Sequence, residues 1–414
     1  MSRRVVITGM GTVNPLGKNV DEFWNGIKDN KLGYSFIDTF DTSDFDIKIA
    51  GIVRDFDITN YGVDKKEARK LDRFVQFALA STKQALQDCG SDFKDLDPYR
   101  AGVIVGCGIG GLNLTTQEHS KFLEKGPSRI SVFYIPSSII NMACGVIAMK
   151  TGFKGDNFST VTACASSTHA IGESFRKIKD GYLDVAITGG TESCVSKFTL
   201  GGFNNMKALT KCDNLEKASI PFDKDRSGFV LGEGSGILIL EELEHAKARG
   251  AKIYAEIVGY GATCDAYHMT SPSPDGIEAS QAMKLAYLEG GLKPEDIDYI
   301  NAHGTSTGLN DKYETTAIKL ALGEDNAKKV KINSTKSMIG HLLGGAGAVE
   351  AIVTAKSIQE GLVHATVGTT TPDEECDLDY CINGNVNMDV NCALSNSLGF
   401  GGHNATICLK KYVD

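Results

Sequence analysis

The chain has 414 residues, 42% of them hydrophobic and 23% charged, the composition of an ordinary globular protein. That length exceeds the roughly 250–300 residues at which single cores stop growing, so one very large unit or two fused ones are expected. The formal net charge of −9 argues against a nucleic-acid or anionic-membrane binder acting through global charge, and no run of ~18 apolar residues is present to span a bilayer.

In chain order, RVVITGMG reads as a buried strand ending in glycine. Its apolar run is broken at Thr8, Gly9 and Gly11, so no cleaved leader is expected. The eleven cysteines contain no CxxC pair, which fits free thiols in a reducing, cytoplasmic setting. KKEARKLDR brings Lys65, Lys66, Arg69, Lys70 and Arg73 together. Read as one helix, positions 65, 69 and 73 share a side with 66 and 70, and on charge alone this is a solvated basic face. The overlapping stretch ARKLDRFVQFALASTKQALQDCG has helical period and a glycine stop.

AGVIVGCGIGG is a second buried strand. Gly106, Gly108 and Gly111 fit G-x-G-x-x-G, but Ser131 stands where a dinucleotide site needs an acidic residue ~20 positions on. A tight turn beside a crowded backbone is expected instead. In TVTACASSTHAIGESF, residues 160–175, Cys164 lies where strand-type residues give way to a helix start. Unpaired N–H groups there favour a thiolate and should lower the thiol's pKa. Packing remains the alternative for a cysteine judged on spacing alone. LDVAITGG and GSGILILEE are further strands.

From residue 255 the pattern repeats. AEIVGYGAT echoes VVITGMGT, and AYLEGGLKPEDIDYINAHG echoes ALQDCGSDFKDLDPYRAGVIVGCG. The helix after Cys164 closes at Ile178 and Gly181, and a helix after Gly344 closes at Ile358 and Gly361, an offset of 180. Three echoes in one order predict a duplicated α/β fold, with halves 1–254 and 255–414 packed around a site between them. His303, in NAHGTSTG, follows a strand on a loop at its carboxyl end, and His341, in NSTKSMIGHLLGGAGA, precedes a glycine-rich helix start. His119, His169, His245 and His364 read as solvated surface. No HExxH, close ligand pair or carboxylate cluster is present, so no metal is expected.

TAC at 162–164, NAHGTST at 301–307, KSMIGHLLGGAGAVEA at 336–351 and LGFGGHNA at 398–405 together resemble the β-ketoacyl-[acyl-carrier-protein] synthases of fatty-acid synthesis. The segment PFDKDRSGFVLGEGSG and the piece DAYHMTSP resemble the synthase II branch most. The resemblance covers essentially the whole chain. It implies the thiolase-like duplicated fold, a five-layer α-β-α-β-α sandwich, and an acyltransferase that joins an acyl group to malonyl-carrier with loss of CO₂. It implies Cys164 as nucleophile, His303 and His341 as the imidazoles that assist decarboxylation, and the backbone amides of Cys164 and Phe400 as the oxyanion hole. Lys336 and Glu350 match an orienting charged pair, Thr305 and Thr307 the hydroxyls that hold the pantetheine arm, and Ile109 and Phe400 positions lining the acyl tunnel. Lys65, Lys66, Arg69 and Lys70, with Arg129 and Lys207, match a docking face for acyl carrier protein. A cytoplasmic homodimer without a cofactor is implied as well.

Gly308-Leu309-Asn310, Ile339 and Leu398 depart from the family's usual residues, which bears on gating and chain length and not on the reacting groups. A thiolase would carry a second cysteine where GFGGHNA stands. A synthase III type would carry asparagine in place of His341. A papain-type hydrolase lacks its local motif, and a non-catalytic partner subunit would lack Cys164.

Overall fold

The opening strand is β-branched or glycine almost throughout, and all of Val5–Val13 (β1) is buried in the computed structural model, which describes residues 3–413. Its glycines let a helix lie directly on it. A Cβ on Gly9 or Gly11 would stand 2.3 or 2.0 Å from the carbonyl oxygens of Ala85 or Ser81. That helix, α1 (Arg73–Cys89), is capped by the Asp72 carboxylate at its start and by left-handed Gly90 at its end.

The other strands of the main sheet are β2 (Ala101–Gly106), β3 (Asn157–Phe158), β4 (Val185–Glu192), β5 (Gly234–Glu242), β6 (Ala255–Cys264), β7 (Tyr299–Asn301), β8 (Lys331–Asn333), β9 (Cys392–Gly399) and β10 (His403–Lys410). Outward from the centre, the first half runs β1-β5-β4-β2-β3 and the second β6-β10-β9-β7-β8. Each half has two antiparallel pairings followed by two parallel ones. The repeat read in the sequence is therefore a repeat of topology. The halves are not separate sheets. Val5, Val6 and Ile7 of β1 pair with Ile257, Glu256 and Ala255 of β6, a short junction across which the ladder continues.

Two helices lie between the halves. Helix α2 (Ser166–Lys179) packs on β4 and β2 and also on β6 and β10, while α5 (Ala346–Glu360) packs on β5 and β4 and also on β9. Helix α1 covers the outer face of the first half, and α3 (Ile277–Glu289), with α4 (Gly308–Leu322) against it, covers the second. The order of layers is α-β-α-β-α, as expected. A 3-10 turn enters each central helix, Ala163–Ala165 before α2 and Leu343–Gly345 before α5, at the same offset of 180. Among the described residues no helix is long and apolar enough to cross a membrane.

Two expectations need correction. KKEARKLDR is not one helix. Asp64 caps a short helix, Lys65–Ala68, and Asp72 caps α1 anew; two aspartate caps in one run split it. Arg73 turns inward, reaching Glu233 at 3.1 Å and the Val53 carbonyl at 2.6 Å, and leaves the basic face. The surface assignment holds for His119, which is exposed. His364 is wholly buried, with Nδ1 against the Ala365 carbonyl at 2.7 Å and Nε2 against the Thr335 hydroxyl at 3.0 Å. His169 and His245 are half-buried against Tyr260 and Glu241.

Candidate active site

Cys164 sits on the 3-10 turn that feeds α2. Ala163 before it has φ +50, a left-handed conformation costing a non-glycine residue roughly 1–2 kcal/mol. The loop after β9 closes over this elbow. A Cβ on Gly399 would lie 2.7 Å from the Thr162 carbonyl, so the approach requires glycine there. The backbone amides of Phe400 and of Cys164 itself favour its thiolate.

Burial nevertheless dominates. It pushes the Cys164 thiol up to about 12, assisted by the Glu192 charge and opposed by the Lys336 ammonium. The lowered pKa expected from the helix start is not found, because the sulfur's loss of water outweighs the N–H groups around it. The resting residue is a thiol.

His303 follows β7 on a loop whose backbone is gripped by α4. Glu314 accepts from the N–H groups of His303 (2.7 Å) and Gly304 (2.8 Å), and Asp311 from those of Thr305 (3.0 Å) and Ser306 (3.1 Å). Both carboxylates are fully buried. They stand three residues apart on one helix face, so one turn of α4 fixes four successive peptides. The Thr305 and Thr307 hydroxyls bond each other at 2.9 Å. Arg226, from the first half, donates to the carbonyls of Thr307 (3.0 Å) and Gly308 (2.7 Å) and braces the same loop.

His341 is held by its own N–H on the Val230 carbonyl at 2.7 Å. Its Nδ1 accepts the N–H of Leu343 at 3.3 Å, and its Nε2 is buried without a protein partner. Proton placement follows: Nδ1 is bare and Nε2 carries the hydrogen. Lys336 and Glu350 form an ion pair beneath, each side chain 1% exposed, so it is no surface bridge. Burial first, then the Lys336 charge, hold both imidazoles well below the usual histidine range; His303 is lowered further by His341. Both are neutral at pH 7.

These three residues meet. A sulfur or ring nitrogen of Cys164, His303 and His341 all lie within 4.8 Å of one another, and the two rings stand edge to face at 5.3 Å. They line one cavity of about 390 Å³, with Ile109, Thr305, Thr307, Phe400, Leu398 and Lys207 in its wall. A Cys-His-His trio also has the donor set of a zinc centre. The Leu343 N–H argues against that use. To ligate a cation through Nε2, His341 would move its hydrogen to Nδ1 and set two N–H groups against each other.

Of the remaining expected residues, Lys65, Lys66, Arg69, Lys70 and Arg129 lie outside the cavity wall, and all are exposed, as is Lys207. The Lys70 ammonium covers the Phe133 ring at 4.9 Å. The glycine-rich turn after β2 does hold an anion, but it is the protein's own: N–H groups of Gly108, Ile109 and Gly110 converge on Glu192. Asp311, Glu314, Arg226 and Glu192 were not singled out from sequence. The i,i+3 acidic pair in GLNDKYE, directly after the histidine loop, is the one readable signal among them.

Residues 2–246 match the family model described as Beta-ketoacyl synthase, N-terminal domain, and residues 254–370 match Beta-ketoacyl synthase, C-terminal domain. The chain belongs to the β-ketoacyl synthase family. Curated relatives in this family include the 3-oxoacyl-[acyl-carrier-protein] synthase 2 of Synechocystis, 50% identical over 99% of this chain and 98% of its own. The enzyme of the same name from Staphylococcus aureus is 46% identical over 99% of both. Among solved structures, a β-ketoacyl synthase from Burkholderia phymatum is 31% identical over 99% of this chain and all of its own, with a TM-score of 0.91. A type II polyketide ketosynthase, solved with its acyl-carrier protein and bound to a hexaketide, is 34% identical over the whole of both chains, with a TM-score of 0.92.

Proposed function

We propose that this β-ketoacyl synthase is a 3-oxoacyl-[acyl-carrier-protein] synthase of the type II class, which lengthens an acyl chain by two carbons at the expense of malonyl-carrier. The observation that carries this is the meeting of one thiol with two neutral imidazoles, one of them fixed as a hydrogen-bond donor.

In the first half-reaction the Cys164 sulfur attacks the thioester carbonyl of acyl-carrier. A new C–S bond forms, the pantetheine thiolate leaves, and the thiol's proton ends on it. A thiol pushed up to about 12 by burial needs its proton taken as the bond forms. His303, whose Nδ1 is buried without a partner, can take and return it; His341, already protonated on Nε2, cannot. Negative charge on the carbonyl oxygen is met by the amides of Cys164 and Phe400. Each such donor is worth ~3 kcal/mol of barrier.

In the second, malonyl-carrier enters and its terminal C–C bond breaks. CO₂ leaves and the electron pair flows onto the thioester oxygen as an enolate. His303 and His341 donate N–H bonds to that oxygen, which strengthen as charge develops. The enolate carbon attacks the acyl thioester on Cys164 and expels the sulfur as a thiolate, which takes from solvent the one proton that the overall reaction consumes. Neutral imidazoles suit this step because they donate without binding the malonyl carboxylate as a fixed cation pair would. The Lys336–Glu350 pair holds the second imidazole's surroundings rigid.

Thr305 and Thr307 line the cavity where a pantetheine arm would lie, and the exposed Lys65, Lys66, Arg69, Lys70, Arg129 and Lys207 supply positive charge for an acidic carrier. The reading includes halves 1–254 and 255–414, a homodimer, a cytoplasmic setting and no cofactor beyond the carrier's pantetheine. Incubation with acyl-carrier and [¹⁴C]malonyl-carrier tests it. The expected product is 3-oxoacyl-carrier, and free fatty acid as the sole product would overturn the reading in favour of a hydrolase.

A further inference from the structure

Glu192 ends β4 and is fully buried, and the steps above make no use of it. Its carboxylate accepts the N–H groups of Gly108 (2.8 Å), Ile109 (3.2 Å) and Gly110 (3.0 Å) and the Cys107 thiol (3.3 Å), all from the first half. It also accepts the N–H of Gly344 at 3.2 Å, from the second half. Successive N–H groups form an anion nest, and bonds to a charged acceptor are the strong ones. The two backbones close up around it. A Cβ on Gly344 would lie 2.2 Å from the Gly108 nitrogen and 2.8 Å from a Glu192 oxygen.

Both walls so joined matter to the cavity. Gly108 and Ile109 line it, and Ile109 packs in the apolar cluster that contains Cys164, Leu343 and Phe229. Gly344 follows Leu343, whose φ of +47 is strained and whose N–H fixes the His341 hydrogen on Nε2. Such a turn persists when its surroundings over-determine it. We propose that Glu192 is a positioning residue that fastens the Ile109 wall of the acyl cavity to the elbow keeping His341 a hydrogen-bond donor. This rests on the condensing reading given above.

The consequences separate by step. Without the Glu192 charge the Gly344 peptide is free, the Leu343 N–H drifts from His341, and decarboxylation loses a donor. Acyl transfer from a short chain uses the amides of Cys164 and Phe400, which Glu192 does not touch. A long chain presses on Ile109 and is affected. The sulfur also feels the change: it faces Lys336, Glu192, Cys194 and the two imidazoles, and loss of the one anion among them favours the thiolate.

The test is Glu192→Gln in the full chain, with three readouts. These are decarboxylation of malonyl-carrier, acylation of Cys164 by short and long acyl-carriers followed by intact mass, and the pH profile of Cys164 alkylation by iodoacetamide. Decarboxylation should fall about tenfold or more, as for loss of one charge-assisted contact. Short-chain acylation should stay within about threefold, the long-to-short ratio should change, and the alkylation profile should move to lower pH. Equal losses in all steps with an unmoved profile would overturn the proposal, as would wild-type behaviour throughout. If the variant does not fold, Cys107→Ala removes one donor and leaves the Glu192 charge in place. The same split between decarboxylation and short-chain acylation is expected from it, with the alkylation profile near that of wild type, and uniform losses overturn the proposal. A wild-type protein that neither acylates nor decarboxylates overturns the condensing reading instead.

Discussion

The N–H of Leu343 meets Nδ1 of His341 at 3.3 Å, and that contact decides how the imidazole can work. A ring nitrogen that accepts a hydrogen bond has none to give, so the other must. His341 is thereby made a donor and barred from acting as a base, while His303, its Nδ1 unpartnered, keeps the freedom to accept a proton. Two histidines a ring-width apart are chemically distinct because of one peptide.

His341→Ala should abolish malonyl-carrier decarboxylation, a loss of about 100-fold or more for removal of a developing-charge donor, yet leave acyl transfer to Cys164 intact. Radiolabelled CO₂ release and intact mass read the two separately. Loss of acylation as well would assign His341 to thiol activation.

Cys164→Ala should end condensation while decarboxylation continues, because the imidazoles do not need the sulfur to polarise the malonyl thioester. Acyl-enzyme still appearing in this variant would place the nucleophile on another residue.

Reversing charge at Lys66 and Arg69 should raise KM for carrier-linked substrates and leave a pantetheine thioester analogue nearly unaffected. Both residues are exposed, so the effect should shrink as salt rises. Equal losses for both substrates would refute a docking role.

Lys336→Ala strands the Glu350 carboxylate, which with its partner is 1% exposed. Breaking a buried pair typically costs ~3–5 kcal/mol, and urea titration should show a loss of that order. The double replacement Lys336→Met with Glu350→Leu should be far milder for stability. A single variant as stable as wild type would mean that water already reaches the pair.

His364 and His169 are held down to about 4 by burial, against ~6.5 in an unfolded chain. Between those values the unfolded state binds protons that the native state refuses. Stability is therefore intact above ~6.5 and is lost as pH falls toward 4, by roughly 3 kcal/mol per histidine across the window. Urea midpoints at about pH 7.5 and about pH 5 measure this. His364→Asn should flatten the slope, and an unchanged slope would refute the assignment.

Much of this was written plainly in the chain. Glycine-terminated apolar runs gave strands, the offset of 180 gave the repeat, and Cys164, His303 and His341 stood out by position. What the chain does not display is mostly burial and direction. Asp64, beside a lysine, and Asp72, beside an arginine, look like ordinary acidic residues, yet as caps they split the basic run and turn Arg73 toward Glu233. His364, between a valine and an alanine, gave no sign that tertiary packing would cover it. Glu192 sits in TES as any strand end might, and its partners lie far away in sequence. The helix start at Cys164 is a local property that the chain displays, while the thiol's pKa is set by the depth of a pocket that several elements build together.

Leu343 repeats at +47 the backbone twist of Ala163 at +50, and Gly344 stands where the first half has Cys164. The second half thus repeats the bend with a glycine where the first has the cysteine. A Cβ at 344 would stand 2.2 Å from the Gly108 nitrogen, so a cysteine there would find no room. The likeness of the two halves stops at this atom: one elbow can present a side chain to the cavity, and the other is sterically sealed.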